Sequence, residues 1–178
     1  MGNTFWVSER RSGEYVKMSN GLTNVFISTF GLAATRLAGT DGERRITYWV
    51  LEHDQSARGI GTVGFTLAEA PFDPASFDTG REFLLRATAA IMDRSGWETL
   101  NYAPNVDILG RAVEEFTGLV QRVTPMDLDT AAMREWLAAS GPDEPQFHGF
   151  PTCPQHRVFL TDFGCHPCND GQWSRDTS

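Results

Sequence analysis

Cys153, His156, Cys165 and Cys168 offer three thiolates and an imidazole in two matched pairs, Cys-x2-His and Cys-x2-Cys, separated by eight residues. All three cysteines of the chain and two of its four histidines lie in the sixteen residues CPQHRVFLTDFGCHPC. A two-residue gap lets one turn present two ligands to the same cation while backbone amides point at the sulfurs. Thiolate and imidazole donors select zinc over magnesium or calcium, and a filled four-ligand shell leaves no position for water. The spacing therefore predicts one structural zinc per chain held by Cys153, His156, Cys165 and Cys168. Pro154 and Pro167, inside the two gaps, restrict the turns and lower the entropy lost on closure. The apolar RVFLTDFG between the pairs suits a β-hairpin. Two other imidazoles are near. His166 lies inside the second gap and is expected to point outward, whereas His148, upstream of the first pair, is the possible substitute ligand.

A redox reading competes with the metal. VFLTDFGCHPC resembles the strand and active-site turn of thioredoxin-like proteins, in which an apolar strand leads to Cys-x-Pro-Cys at a helix N-terminus. That resemblance implies a reactive dithiol at Cys165 and Cys168. It covers about a dozen residues, and only ten residues follow Cys168 where the family has a long helix and further strands.

Other motifs are weaker. GIGTVG, from Gly59 to Gly64, matches the dinucleotide string G-x-G-x-x-G, but it runs into FTLAEAPF with two prolines close behind, so it reads as a glycine-rich strand or turn. The chain has no GxxxxGK[ST], HExxH or GxSxG. Glu52, His53 and Asp54 are adjacent proton-transfer groups at the end of an apolar run, a candidate general base. Neighbours on a strand face opposite ways, which favours a solvated strand end there. Asp127, Asp129, Glu114 and Glu115 read as helix caps and exposed faces.

The elements that must position these groups fall into three stretches. Residues 4–70 carry TFWVS, EYVKMS, NVFISTF, RITYWVLE and IGTVGFTL, rich in β-branched and aromatic residues and separated by turn formers. They predict an antiparallel sheet. Residues 75–140 change period. Thr79 with Glu82 reads as a capping box ahead of Phe83, Ala87 and Ile91; Asn105 caps a stripe of Leu109, Val113, Phe116 and Val120; a third helix runs from Asp129 to Ala139. The expected fold is α+β: a sheet packed on about three helices over residues 1–145, and a zinc-knuckle hairpin with a polar tail over 146–178.

Composition sets the functional frame. The chain has 178 residues, 40% of them hydrophobic, enough for one domain with a buried core. Its formal charge is −8, a field that repels nucleic-acid phosphates and suits a basic protein partner. There is no apolar run of signal-peptide or bilayer-spanning length, and three cysteines cannot close an all-disulfide framework, so a cytoplasmic protein is expected. The expected function is a non-enzymatic acidic interaction protein of inhibitor or immunity type with a structural zinc. The alternatives are a small cytoplasmic hydrolase or transferase with dispersed residues, metal-dependent if one of the four tail ligands is detached, and a dithiol redox protein using Cys165 and Cys168.

Overall fold

The computed structural model describes residues 3–173 of the chain. Its N-terminal strands β1 (Asn3–Trp6) and β2 (Tyr15–Met18) pair antiparallel with Phe5 opposite Val16 and Trp6 opposite Tyr15. Alternation works here as a strand requires: Asn3, Phe5, Val16 and Met18 are buried, while Tyr15 and Lys17 face out. Two further short strands, β3 (Asp54–Gln55) and β4 (Gly61–Thr62), form a second antiparallel pair.

The remaining architecture is helical, in an α+β arrangement dominated by six α-helices among the described residues. They are α1 (Asn20–Leu37), α2 (Asp41–Leu51), α3 (Phe77–Met92), α4 (Val106–Arg122), α5 (Thr130–Ala139) and α6 (His166–Trp173). The two segments NVFISTF and RITYWVLE, expected as strands, belong to α1 and α2. The reason is burial. Helix α1 packs against α2, α3, α4 and α6, and ten consecutive or nearly consecutive residues, Thr23 and Phe26 through Ala34, are buried. A helix enclosed on all sides has no polar stripe, so its period cannot be read from hydrophobicity, and its Phe, Ile and Thr content imitates a strand. Thr23 and Thr29 hydroxyls donate to the carbonyls of Ser19 and Val25 within the helix, which satisfies polar groups that would otherwise be stranded in the core.

Helix α2 carries a start signal in plain view. Thr40 accepts from the Glu43 amide at 3.2 Å, and the Glu43 carboxylate accepts from the Thr40 amide at 3.2 Å, a complete capping box. Helix α4 has the expected Asn105 cap and α5 the Asp129 cap. Helix α3 begins at Phe77, ahead of Thr79.

The core joins these pieces through aromatic rings. Phe5 of β1 meets Phe26 of α1 at 5.6 Å and Phe65 at 4.8 Å, and Phe26 meets Phe116 of α4 at 4.9 Å. Edge-to-face contacts of this kind add to the area they bury. Of the GIGTVG string, Gly64 is explained by close approach: a Cβ there would stand 2.1 Å from the carbonyl oxygen of Thr4 on β1. The run from 60 to 67 thus supplies a two-residue strand and a backbone crossing, followed by a single 3-10 turn, Leu67–Glu69, in place of the α-helix that a dinucleotide site needs.

The C-terminal segment packs on the same core. Phe150, Val158 and Phe159 belong to the buried cluster, Phe150 meets Tyr48 of α2 edge-on at 6.3 Å, and the Phe159 amide donates to the Thr35 hydroxyl of α1 at 3.3 Å. The polar residues 174–178 lie outside the described residues.

Candidate metal centre

Four ligand atoms from Cys153, His156, Cys165 and Cys168 lie within 4.8 Å of one another. His156 Nδ1 is 3.8 Å from Cys153 Sγ, 3.5 Å from Cys165 Sγ and 3.3 Å from Cys168 Sγ. Cys153 Sγ and Cys168 Sγ are 3.8 Å apart, far beyond a sulfur–sulfur bond, and all three thiols are free. Cys153, His156 and Cys165 are buried, and Cys168 is half-buried. The arrangement can hold a metal ion.

Each pair reaches the centre by local backbone geometry. In the first, the Arg157 amide donates to the Cys153 carbonyl and the Cys153 amide to the Val158 carbonyl, both at 2.8 Å, closing a turn with Arg157 at φ 55°. The Cys153 sulfur accepts from the amides of His156 and Gln155, as the two-residue spacing requires. In the second, Thr161 and Gly164 exchange amide bonds, Gly164 takes φ 83°, and the chain passes from Cys165 directly into α6. Cys168 therefore sits in the first turn of that helix. The single hairpin expected over RVFLTDFG is instead two isolated antiparallel bridges, Thr152 with Phe159 and Thr161 with Gly164.

Ionisation follows from burial and from these amides. Burial lowers the His156 imidazole below its ordinary value and holds it neutral, the form that ligates a metal. Burial also pushes the Cys165 thiol upward, against the amide of Cys168. At Cys153 burial acts upward too, but the amides of His156 and Gln155 together with the Cys165 and Cys168 side chains outweigh it, and the thiol ends below its usual range. A divalent cation at the centre reverses the burial cost for all three sulfurs.

His166 does not point outward. It is buried, with Nδ1 2.6 Å from Asp54 Oδ2 and Nε2 donating to the Asn24 carbonyl at 3.0 Å. Asn169 donates to the Phe163 carbonyl at 2.8 Å and reaches Asp54 at 3.4 Å, and Asn24 also bonds to Asp170. This polar seam fastens the second cysteine pair to α1 and to the turn after α2. Its partners lie far apart along the chain, so no local spacing announces it. His148 is exposed, its Nε2 3.1 Å from the Pro142 carbonyl, and it is not part of the cluster.

The Glu52-His53-Asp54 triplet is not a solvated strand end. It follows α2, and its three side chains diverge. Burial acts to raise the Asp54 carboxyl, but its contacts with His166 and Ser56 together outweigh that and hold it down to about 2. His53 is pushed down to about 4 by burial, with Nδ1 2.8 Å from the Trp49 carbonyl and its ring between Trp49 and Phe65. Glu52 is raised to about 7 by burial and accepts the Trp136 indole N–H at 2.7 Å. It lines a cavity of about 410 Å³ bounded by α2, α5 and Phe163 of the metal-ligand segment. Asp127 and Asp129 cap backbone amides, and Glu114 and Glu115 are exposed on α4, as their sequence positions suggest.

No helix among the described residues is long and apolar enough to cross a membrane. No known family, no curated protein and no solved structure matches this chain.

Proposed function

We propose that Cys153, His156, Cys165 and Cys168 hold one structural zinc, and that the protein is a non-enzymatic acidic partner-binding protein whose C-terminal segment the zinc fixes in place. The observation that carries the metal assignment is the set of ligand separations. Zinc with sulfur at about 2.3 Å and nitrogen at about 2.05 Å in a tetrahedron spaces its sulfurs about 3.8 Å apart and its nitrogen about 3.6 Å from each sulfur. Four of the six separations, 3.3, 3.5, 3.8 and 3.8 Å, lie near those edges, and all six fall within 4.8 Å. Hard cations prefer oxygen ligands, and this centre offers none from its four residues.

Four protein ligands fill a tetrahedral shell, so the zinc would brace the fold and activate no water. The partner-binding reading rests on the formal charge of −8. It is tested by capture at increasing salt from a mixture of defined basic and acidic proteins. Retention of a basic partner that falls with ionic strength is the expected result, and retention indifferent to salt or partner charge contradicts it.

An enzyme reading has one observation in its favour, the Glu52 carboxylate raised to about 7 in a cavity, where a proton-transfer group is useful. It requires turnover whose pH profile inflects near that value and loses the inflection in Glu52→Gln. The dithiol reading gains nothing from Cys165, because burial raises its thiol where a nucleophile needs a lowered one.

A further inference from the structure

The cavity beside Glu52 has a composition that the metal centre does not use. Three carboxylates, Glu52, Glu69 and Glu144, face it together with the indoles of Trp49 and Trp136 and the ring of Phe163. Several partly buried carboxylates elsewhere find cations: Glu43 pairs with Arg86, Glu14 with Arg11 and Arg122, and Asp127 with Arg11. Among the described residues none of the three cavity carboxylates takes part in a salt bridge. Glu52 is met by an indole N–H, and Glu144 by the Gly141 amide and the Gln146 side-chain amide, all neutral donors.

Arg58 also lines the cavity and offsets part of this charge, but three carboxylates face one guanidinium; a concave site with excess negative charge concentrates field lines, and its aromatic walls present negative π-faces. Both select an organic cation. The rim already contains such a contact: the Arg58 guanidinium lies 4.6 Å from the centre of the Phe163 ring. His53 adds no positive charge, because its Nδ1 proton goes to the Trp49 carbonyl and burial keeps the ring neutral. At about 410 Å³ the cavity is within the range of small-ligand sites, and it has room for a guanidinium or ammonium group with its aliphatic stem.

We propose that this cavity binds a guanidinium or alkylammonium group, set between the Glu52, Glu69 and Glu144 carboxylates against the rings of Trp49, Trp136 and Phe163. This deepens the partner-binding reading by naming the group recognised, and it rests on that reading only in expecting the cation on a protein. Phe163 lies between the two cysteine-bearing turns, so the metal centre holds one wall of the cavity.

The Trp136 indole N–H, bonded to Glu52, gives a site-specific signal in a two-dimensional proton–nitrogen spectrum, assigned by its loss in Trp136→Phe. Two probes are titrated into the zinc-loaded full chain: agmatine as a free cation, and an acetylated Arg-containing peptide amide, with the citrulline peptide as neutral control. Saturable displacement of the signal below about 10 mM, weakened about tenfold or more in Glu52→Gln, is expected. Response to agmatine alone assigns a free small-molecule cation, and response to both assigns an arginine side chain. Glu52→Gln keeps the oxygen that accepts the indole proton. Glu69→Gln, which has no bonded partner to lose, gives the same reading should the first variant fail to fold. No displacement by either cation, an equal response to the citrulline peptide, or affinity unchanged in both variants overturns the proposal. Basic-partner capture that survives unchanged in Glu52→Gln places partner docking elsewhere: with a positive agmatine titration the cavity is a free-cation site, and with a negative titration only the cavity assignment fails.

Discussion

Glu52 is a carboxylate whose environment favours its neutral form, and that preference has a sign. Burial raises it from 4.5 to about 7, so the folded chain binds more protons than the unfolded chain between those values. The stabilisation is complete below the unfolded value and is lost as pH rises through 7. Its size is about 2 kcal/mol, below the full conversion of about 3, because the carboxylate is part exposed and screened. Glu52→Gln should remove this dependence: denaturant midpoints should match the parent near pH 4.5 and exceed it near pH 8. Equal midpoints at both pH values would show that burial does not act on this group as described. Arg157 poses a second single-residue question. It holds φ 55° immediately after His156, where a side chain is strained and glycine is not. Arg157→Gly should stabilise the chain by up to about 1 kcal/mol, after the entropy glycine adds to the unfolded state, while Arg157→Ala should give no such gain. The four candidate ligands were readable at this scale because their spacing is local. The buried role of His166 was not, since Asp54 and Asn24 reach it only through the fold.

Among the elements, β1, β2, α4 and α5 follow from short-range rules: alternation, an Asn105 cap with an apolar stripe, an Asp129 cap. Helices α1 and α2 do not, although Thr40-Asp41-Gly42-Glu43 spells the capping box that starts α2. The same four residues also satisfy a turn signature, and the strand-like content of RITYWVLE decided between them wrongly. At Thr79 and Glu82 the box signature sits inside α3 and caps nothing. Both cases show burial overriding local preference: what α1 and α2 contact sets their state more than what they contain. The crossing of β1 by the chain at Gly64 is a point where this packing can be probed. Gly64→Ala must move a Cβ away from the Thr4 backbone, and should cost about 2 to 3 kcal/mol in thermal or denaturant unfolding. A loss under about 0.5 kcal/mol would mean that β1 does not pass there so closely.

For the molecule as a whole, the C-terminal segment has two attachments, an apolar one through Phe150, Val158 and Phe159 and a polar one through His166 and Asp54. On the proposed zinc assignment, the metal would determine whether the cysteine turns hold their shape between them. Chelation of zinc should therefore loosen residues 150–170 first. Hydrogen exchange there should rise by about two orders of magnitude or more while the Phe26–Phe116 core stays protected. Uniform protection with and without chelator would show that packing alone suffices. Because Phe163 walls the cavity beside Glu52, the same treatment should weaken cation binding there.

The most direct measurement of the central claim is metal content per chain by mass spectrometry, made on the parent, Cys153→Ser and Cys165→Ser after growth with zinc and removal of loose ions. One zinc per parent chain and clear loss in both variants are expected. A parent chain without zinc, or one zinc retained in both variants, would contradict the zinc assignment.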